Sequence, residues 1–179
     1  MNVPIPGHNE EATLPARKAA GDDRLAAWKD LQWATSLIMG RFAIDLSKSG
    51  LTLEKLDVLV HLAWAPDGRL PLRELVASMV SGYQLSRSGL TRLLDRIERD
   101  GLVERSISRV DRRQFDVAIT ADGRAIFEGV WPDHVDGVRR YFSEPLSMED
   151  VATLRQILAK LIRANEVSGA PSPSANERR

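Results

Sequence analysis

The chain has 179 residues, 43% hydrophobic and 28% charged, with no cysteine and with 25 Lys+Arg balanced by 25 Asp+Glu. That length suits one domain with appendages, and the lack of cysteine excludes a disulfide scaffold, a thiolate zinc site, an iron–sulfur cluster and a thiol redox sensor. A net charge of +0, taken as a sum, argues against a nucleic-acid binder.

No apolar run approaches the roughly 18 residues of a membrane span, and the polar start is unlike a signal peptide. A cytoplasmic chain without a membrane partner is therefore expected. Residues 1–23 hold three prolines and little periodic apolar content, as expected of a disordered arm. Residues 164–179 read as a helix end followed by a Ser-, Pro- and Ala-rich disordered tail. Between them, 24–163 shows no linker-like break and no internal repeat.

Leu25, Trp28, Leu31, Thr35, Ile38, Phe42 and Leu46 recur every three or four residues and predict one long helix. Asp22 or Asp23 caps it and Gly50 ends it. Thr52 caps a second helix with Leu53, Leu56, Leu59, Val60 and Ala63 on its apolar side, closed by the turn Pro66-Asp67-Gly68. A third helix is predicted from Leu72 to Met79, joined through a Ser81-Gly82 turn to a fourth. The fourth is capped by Ser86 and ends near Asp100-Gly101. Two extended runs, Leu102–Ile107 and Phe115–Ile119, flank the charged tip Ser108–Gln114 and read as a hairpin. Thr120 opens a fifth helix to Phe142, with a kink expected at Pro132. Ser147 and Asp150 form a capping box for the last helix, carrying Val151, Leu154, Ile157, Leu158, Leu161 and Ile162. The order is that of a mainly α chain with a small β-wing, a winged helix-turn-helix (51–120) between helical arms (24–49 and 124–163).

Arginine supplies 20 of the 25 basic residues, and eight of these lie between Leu85 and Arg113 against five acids, a net +3 there and −3 elsewhere. The distribution reverses the argument from the sum. At the start of the fourth helix, Ser86, Arg87, Ser88, Thr91 and Arg92, with Arg96 a turn on, suit a major groove. Short hydroxyl side chains allow close approach, and arginine bridges guanine bidentately. Leu90, Leu93, Leu94 and Ile97 form the opposite, core-facing side. The alternative is a solvated amphipathic helix in which Asp95 and Glu98 pair with Arg92, Arg96 or Arg99. On the wing tip, Arg109, Arg112 and Arg113 suit the negative potential of a minor groove. Asp111 is expected to orient the wing rather than touch DNA. Any exposed turn, however, carries charge.

The run from Leu85 to Arg105 (LSRSGLTRLLDRIERDGLVER) closely resembles the recognition helix and first wing strand of MarR-family transcription regulators. Asp111-Arg112-Arg113, Ile119-Thr120, Gly123, Leu51-Thr52 and Leu146–Asp150 match further parts of that family. The resemblance spans roughly residues 25–163. It implies a homodimer with interleaved N- and C-terminal dimerisation helices. Its winged domains would read a pseudo-palindrome in double-stranded DNA, often as a repressor released by a small aromatic or phenolic ligand. Two features depart from the family pattern. The connection Val80–Leu85 is longer than usual, which makes Tyr83 and Gln84 candidates for a phosphate contact, and Pro132 interrupts a helix that is often continuous.

Trp28, His61, Trp64 and Trp131 are candidates for an aromatic effector pocket, although tryptophans at helical spacing also serve as core or dimer interface. Three scattered histidines (His8, His61, His134) without cysteine point to no metal and no cofactor. Phosphate-cradling Gly-rich loops, G-x-S-x-G and H-E-x-x-H are all missing, so no enzymatic chemistry is expected. A winged-helix dimer that binds proteins or ligands without operator specificity is the alternative function.

Overall fold

The computed structural model describes residues 22–83, 87–108 and 111–165. The expected arm and tail lie almost wholly outside them. A carboxylate cap opens the first helix: Asp22 Oδ1 accepts from the Arg24 amide at 2.9 Å, and α1 spans Asp23–Ser47. Its part up to Gly40 belongs to one compact unit and the chain from Arg41 to another. In the first unit large apolar side chains stay open, with Trp28 56% and Trp33 67% exposed. Helix α1 ends in a left-handed Gly50, φ 70°. The Leu51 amide donates back to Leu46 O at 3.3 Å and Gly50 to Ser47 O at 3.1 Å, satisfying carbonyls that a helix end otherwise leaves open.

Helix α2 (Leu53–Ala63) is capped by the Thr52 hydroxyl, which accepts from the Lys55 amide. A 3-10 turn, Pro66–Gly68, leads into a three-residue strand β1 (Arg69–Pro71). Then come α3 (Leu72–Tyr83), α4 (Arg87–Arg99), β2 (Val103–Ile107), β3 (Phe115–Ile119) and α5 (Ala121–Val138). A π-helical turn, Arg139–Ser143, precedes α6 (Met148–Asn165). The capping box holds: Asp150 accepts from the Ser147 amide at 2.9 Å, and Ser147 Oγ from the Asp150 amide at 3.1 Å.

Three expectations are corrected. The wing is not a lone hairpin, because β1 joins it in an antiparallel sheet of order β1-β3-β2, with Leu70 opposite Val117 and Arg105 opposite Val117 from the other side. A three-residue strand ending in proline is too short to show alternation in sequence. Ser81 and Gly82 are not the turn between the third and fourth helices, since α3 continues through them to Tyr83. A glycine near a helix end costs about 1 kcal/mol relative to alanine, and the burial of Leu75 and Met79 on α3 outweighs it. Of the candidate phosphate contacts in that connection, Gln84 lies outside the described residues. Finally, Pro132 does not divide its helix. It lies on the exposed side with Glu128 and Gly129, where the lack of a proline N–H costs least. A π-helical turn follows the helix, where the Glu144 amide donates five residues back to Arg139 O at 2.8 Å.

One core unites α2 to α5, the sheet and the end of α1, built on Leu59, Leu62, Leu75, Leu90, Ile97 and Val117, all fully buried. A chain of rings fastens the last turns of α1 to α5: Phe42 meets His134 at 4.9 Å and Tyr141 at 5.8 Å, and Trp131 continues from His134 to Phe127 and Trp64. Tyr141 Oη donates to Asp45 Oδ2 at 2.7 Å. The start of α5 packs just as closely on Leu102, between α4 and β2. A Cβ at Gly123 would stand 2.0 Å from the Leu102 carbonyl oxygen. Thr120 pins this approach, its hydroxyl donating to Gly101 O and accepting from the Gly123 amide.

Two outcomes follow from this packing. Gly123→Ala must push α5 off Leu102, and we expect a loss of about 1–3 kcal/mol, read as a lower urea midpoint at unchanged slope; an unaltered midpoint would refute the close approach. Burial holds the His134 imidazole below its ordinary range. The unfolded chain therefore takes up the proton first as pH falls below about 6.5, and folded stability drops until the folded imidazole also titrates. Between pH 7 and 5.5 the melting temperature should fall more steeply in the natural chain than in His134→Phe, whereas parallel profiles would contradict it.

Candidate nucleic-acid interface

Helix α4 is divided cleanly between core and solvent. Leu90, Leu93, Leu94 and Ile97 are at most 3% exposed, while Ser88, Thr91, Arg92, Arg96 and Arg99 are exposed. The spacing that buries one side thus fixes the rotation of the helix and points three arginines outward. Arg87 is its first residue, with its side chain outside the described part; Ser86 lies outside the described residues altogether.

The acids near these arginines are engaged elsewhere. Arg105 of β2 reaches back to α4: its Nε donates to Glu98 Oε2 at 2.8 Å, its backbone amide to Glu98 Oε1 at 3.0 Å, and its Nη2 to Asp95 Oδ1 at 2.6 Å. The Glu98 carboxyl is held below its usual range, chiefly by this Arg105 hydrogen bond, and the Arg105 guanidinium is raised by Glu98 in return. Lys55 of α2 pairs with Asp100 at 2.6 Å. The pairing of Asp95 and Glu98 with arginines of their own helix, the alternative open in the sequence, is therefore replaced by a link between helix and wing. Among the described residues, Arg92, Arg96 and Arg99 form no ion pair.

The wing tip is closed by its own polar groups. The Ser108 amide donates to Gln114 O at 2.9 Å and the Gln114 amide to Asp111 O at 2.9 Å. Asp111 accepts from the Arg113 amide at 3.0 Å and from Gln114 Nε2 at 2.7 Å, and these bonds, the Arg113 amide first, lower its carboxyl pKa. A side chain that grips backbone two residues on shapes the turn. Asp111 thus holds the main chain of Arg113. Arg112 and Arg113 are exposed on this turn, and Arg109 lies outside the described residues. At the base of the wing, Arg69 of β1 donates to Ser106 Oγ at 2.7 Å and stands 3.6 Å from Glu104, spanning β3 to reach β2.

Two of the pocket candidates meet: Trp64 and Trp131 lie edge to face at 5.1 Å. His61 pairs with Asp57 at 3.5 Å on its own helix. Trp28 belongs to the unit that ends at Gly40. No three His, Asp or Glu side chains among the described residues are grouped to hold a metal ion, and no described helix is long and apolar enough to cross a membrane. The roles of Arg105, Lys55 and β1 are not apparent from the sequence pattern. Arg105 does leave a signal, since it alternates with the apolar Val103 and Ile107 along β2, where a third apolar residue would complete the pattern.

No family model matches the chain. It is, however, 32% identical over 130 residues to the helix-turn-helix transcriptional regulator PecS of Dickeya dadantii, covering 70% of this chain and 74% of that one. Among solved structures it resembles AbsC, a MarR family transcriptional regulator from Streptomyces coelicolor, with a TM-score of 0.72 at 28% identity over 80% of this chain and 96% of that one. It shares the fold of Sco3205 from the same organism, a MarR family regulator solved in complex with DNA, with a TM-score of 0.73 at 24% identity over 93% and 97% of the two chains. A one-sided helix braced by a three-stranded wing, in a chain so related, identifies this protein as a member of the MarR family of DNA-binding helix-turn-helix transcription regulators.

Proposed function

We propose that this protein is a homodimeric repressor that reads a pseudo-palindromic operator with α4 in the major groove and the wing in the minor groove. The observation that carries the reading is the outward row of arginines on α4, which form no ion pair among the described residues while Arg105 and Lys55 hold the neighbouring acids. In this reading Ser86, Arg87, Ser88, Thr91, Arg92 and Arg96 face base edges and phosphates, Arg109, Arg112 and Arg113 enter the minor groove, and Asp111 holds the tip in shape. The DNA complex of Sco3205 is consistent with this use of the fold. Dimerisation is supported by α6, where Ile157, Leu161 and Ile162 are each about half exposed in the single chain and would be covered by a second copy. Half-sites are then expected about 10 bp apart, centre to centre. Release by a small aromatic effector is supported by Trp64, which rests on Trp131 yet stays 47% exposed.

Replacing Arg112 and Arg113 by alanine should weaken binding and flatten its salt dependence by about 0.9 log unit per log unit of salt for each phosphate the wing no longer neutralises. Fluorescence anisotropy over a salt series measures both quantities, and an unchanged slope would remove the wing from the interface. Arg92→Ala should instead lower the preference for operator over random duplex, by about 1–3 kcal/mol if it bridges a guanine. In a competition assay, an equal loss on both DNAs would assign Arg92 to the backbone rather than to a base.

A further inference from the structure

A cleft at the wing shares no lining residue with the pair Trp64 and Trp131. Between the segment 66–73 and the wing opens a cleft of ≈ 630 Å³, lined on one side by Asp67, Arg69 and Arg73 and on the other by Asp111, Gln114 and Asp116. Small-molecule sites commonly occupy about 300–1,000 Å³. Asp116 is only 9% exposed, and its Oδ1 is buried without a hydrogen-bond partner among the described residues. A buried carboxylate oxygen is rarely left so.

The neighbours explain why the chain does not satisfy it. Asp116 stands in β3 between Ser106 of β2 and Pro71 of β1. Proline has no N–H to offer. Arg69, two residues before Pro71 on the same strand, is engaged by Ser106 and Glu104. Asp111 already accepts from the Arg113 amide and the Gln114 side chain, so it attracts a cation without needing one. Arg73, with 69% of its side chain exposed, stands 4.0 Å from Glu74 and lends its field to Asp111. What the cleft lacks is a donor for Asp116, and three carboxylates against two arginines favour a donor that is positively charged. The described residues offer no group of metal ligands here. Pro66 and Pro71 supply apolar wall for a short carbon stem.

The geometry points to a binding site for a small organic cation, an alkyl amine or guanidine whose head donates to Asp116. Such an occupant bears on the wing tip directly, because Ser108, Asp111 and Gln114 form part of its wall. The site needs no DNA to be filled, so its test is separate from that of operator reading.

The test uses the full chain without DNA and agmatine as the probe, titrated by calorimetry at constant ionic strength, with sodium chloride and benzoate as controls. Saturable binding of agmatine, at least tenfold weaker in Asp116→Asn, is the expected result. The amide keeps the size of the side chain and removes its charge, and circular dichroism checks that the variant folds. A ¹H–¹⁵N titration of the natural chain gives a second reading independent of that variant, with shifts expected at residues 66–73 and 111–116. Heat no greater than that of sodium chloride, equal binding by Asp116→Asn, or shifts centred elsewhere would each overturn the site and leave Asp116 to water alone.

Discussion

The burial of one side of α4 is the constraint on which the rest depends. Leu90, Leu93, Leu94 and Ile97 pack into the single core of the second unit, and each such side chain is worth about 1.5–3 kcal/mol when taken from water. Exposed ion pairs contribute about 0–1 kcal/mol. Apolar burial therefore decides how α4 is turned, and the charges respond to that orientation. Arg92, Arg96 and Arg99 point outward because the leucines point inward.

Electrostatics then determines what the outward side offers. An arginine row beside Asp95, Glu98 and Asp100 would pair internally and present little net charge. Arg105 and Lys55, arriving from the wing and from α2, occupy those acids instead. The same Arg105 contacts tie the wing strand to the helix and so join the two elements proposed to enter adjacent grooves. Arg69 extends the connection from β2 across β3 to β1. The net +3 between Leu85 and Arg113 understates the effect, because Asp95, Glu98 and Asp100 are already paired with Arg105 and Lys55.

The long helices, their caps and the apolar side of α4 are legible in sequence because each rests on local spacing. Thr52, Thr120 and Ser147 cap helices through contacts three residues away, and the glycines at 50 and 101 close helices in the left-handed conformation. What escapes depends on contacts far apart in the chain or on segments too short for a pattern. Lys55 and Asp100 are 45 residues apart, and Arg69 and Ser106 are 37 apart. β1 has three residues. Pro132 reads as a break because proline removes a hydrogen bond; its effect depends on which side of α5 it faces, which only the packing decides.

The central claim is that the outward side of α4, held by the wing, reads sequence symmetrically. Selection from a pool of random duplexes by the purified protein, followed by sequencing of the retained DNA, tests it most directly. Enrichment of an inverted repeat with half-sites about 10 bp apart is the predicted result; DNA that is retained yet stays random in sequence would contradict it.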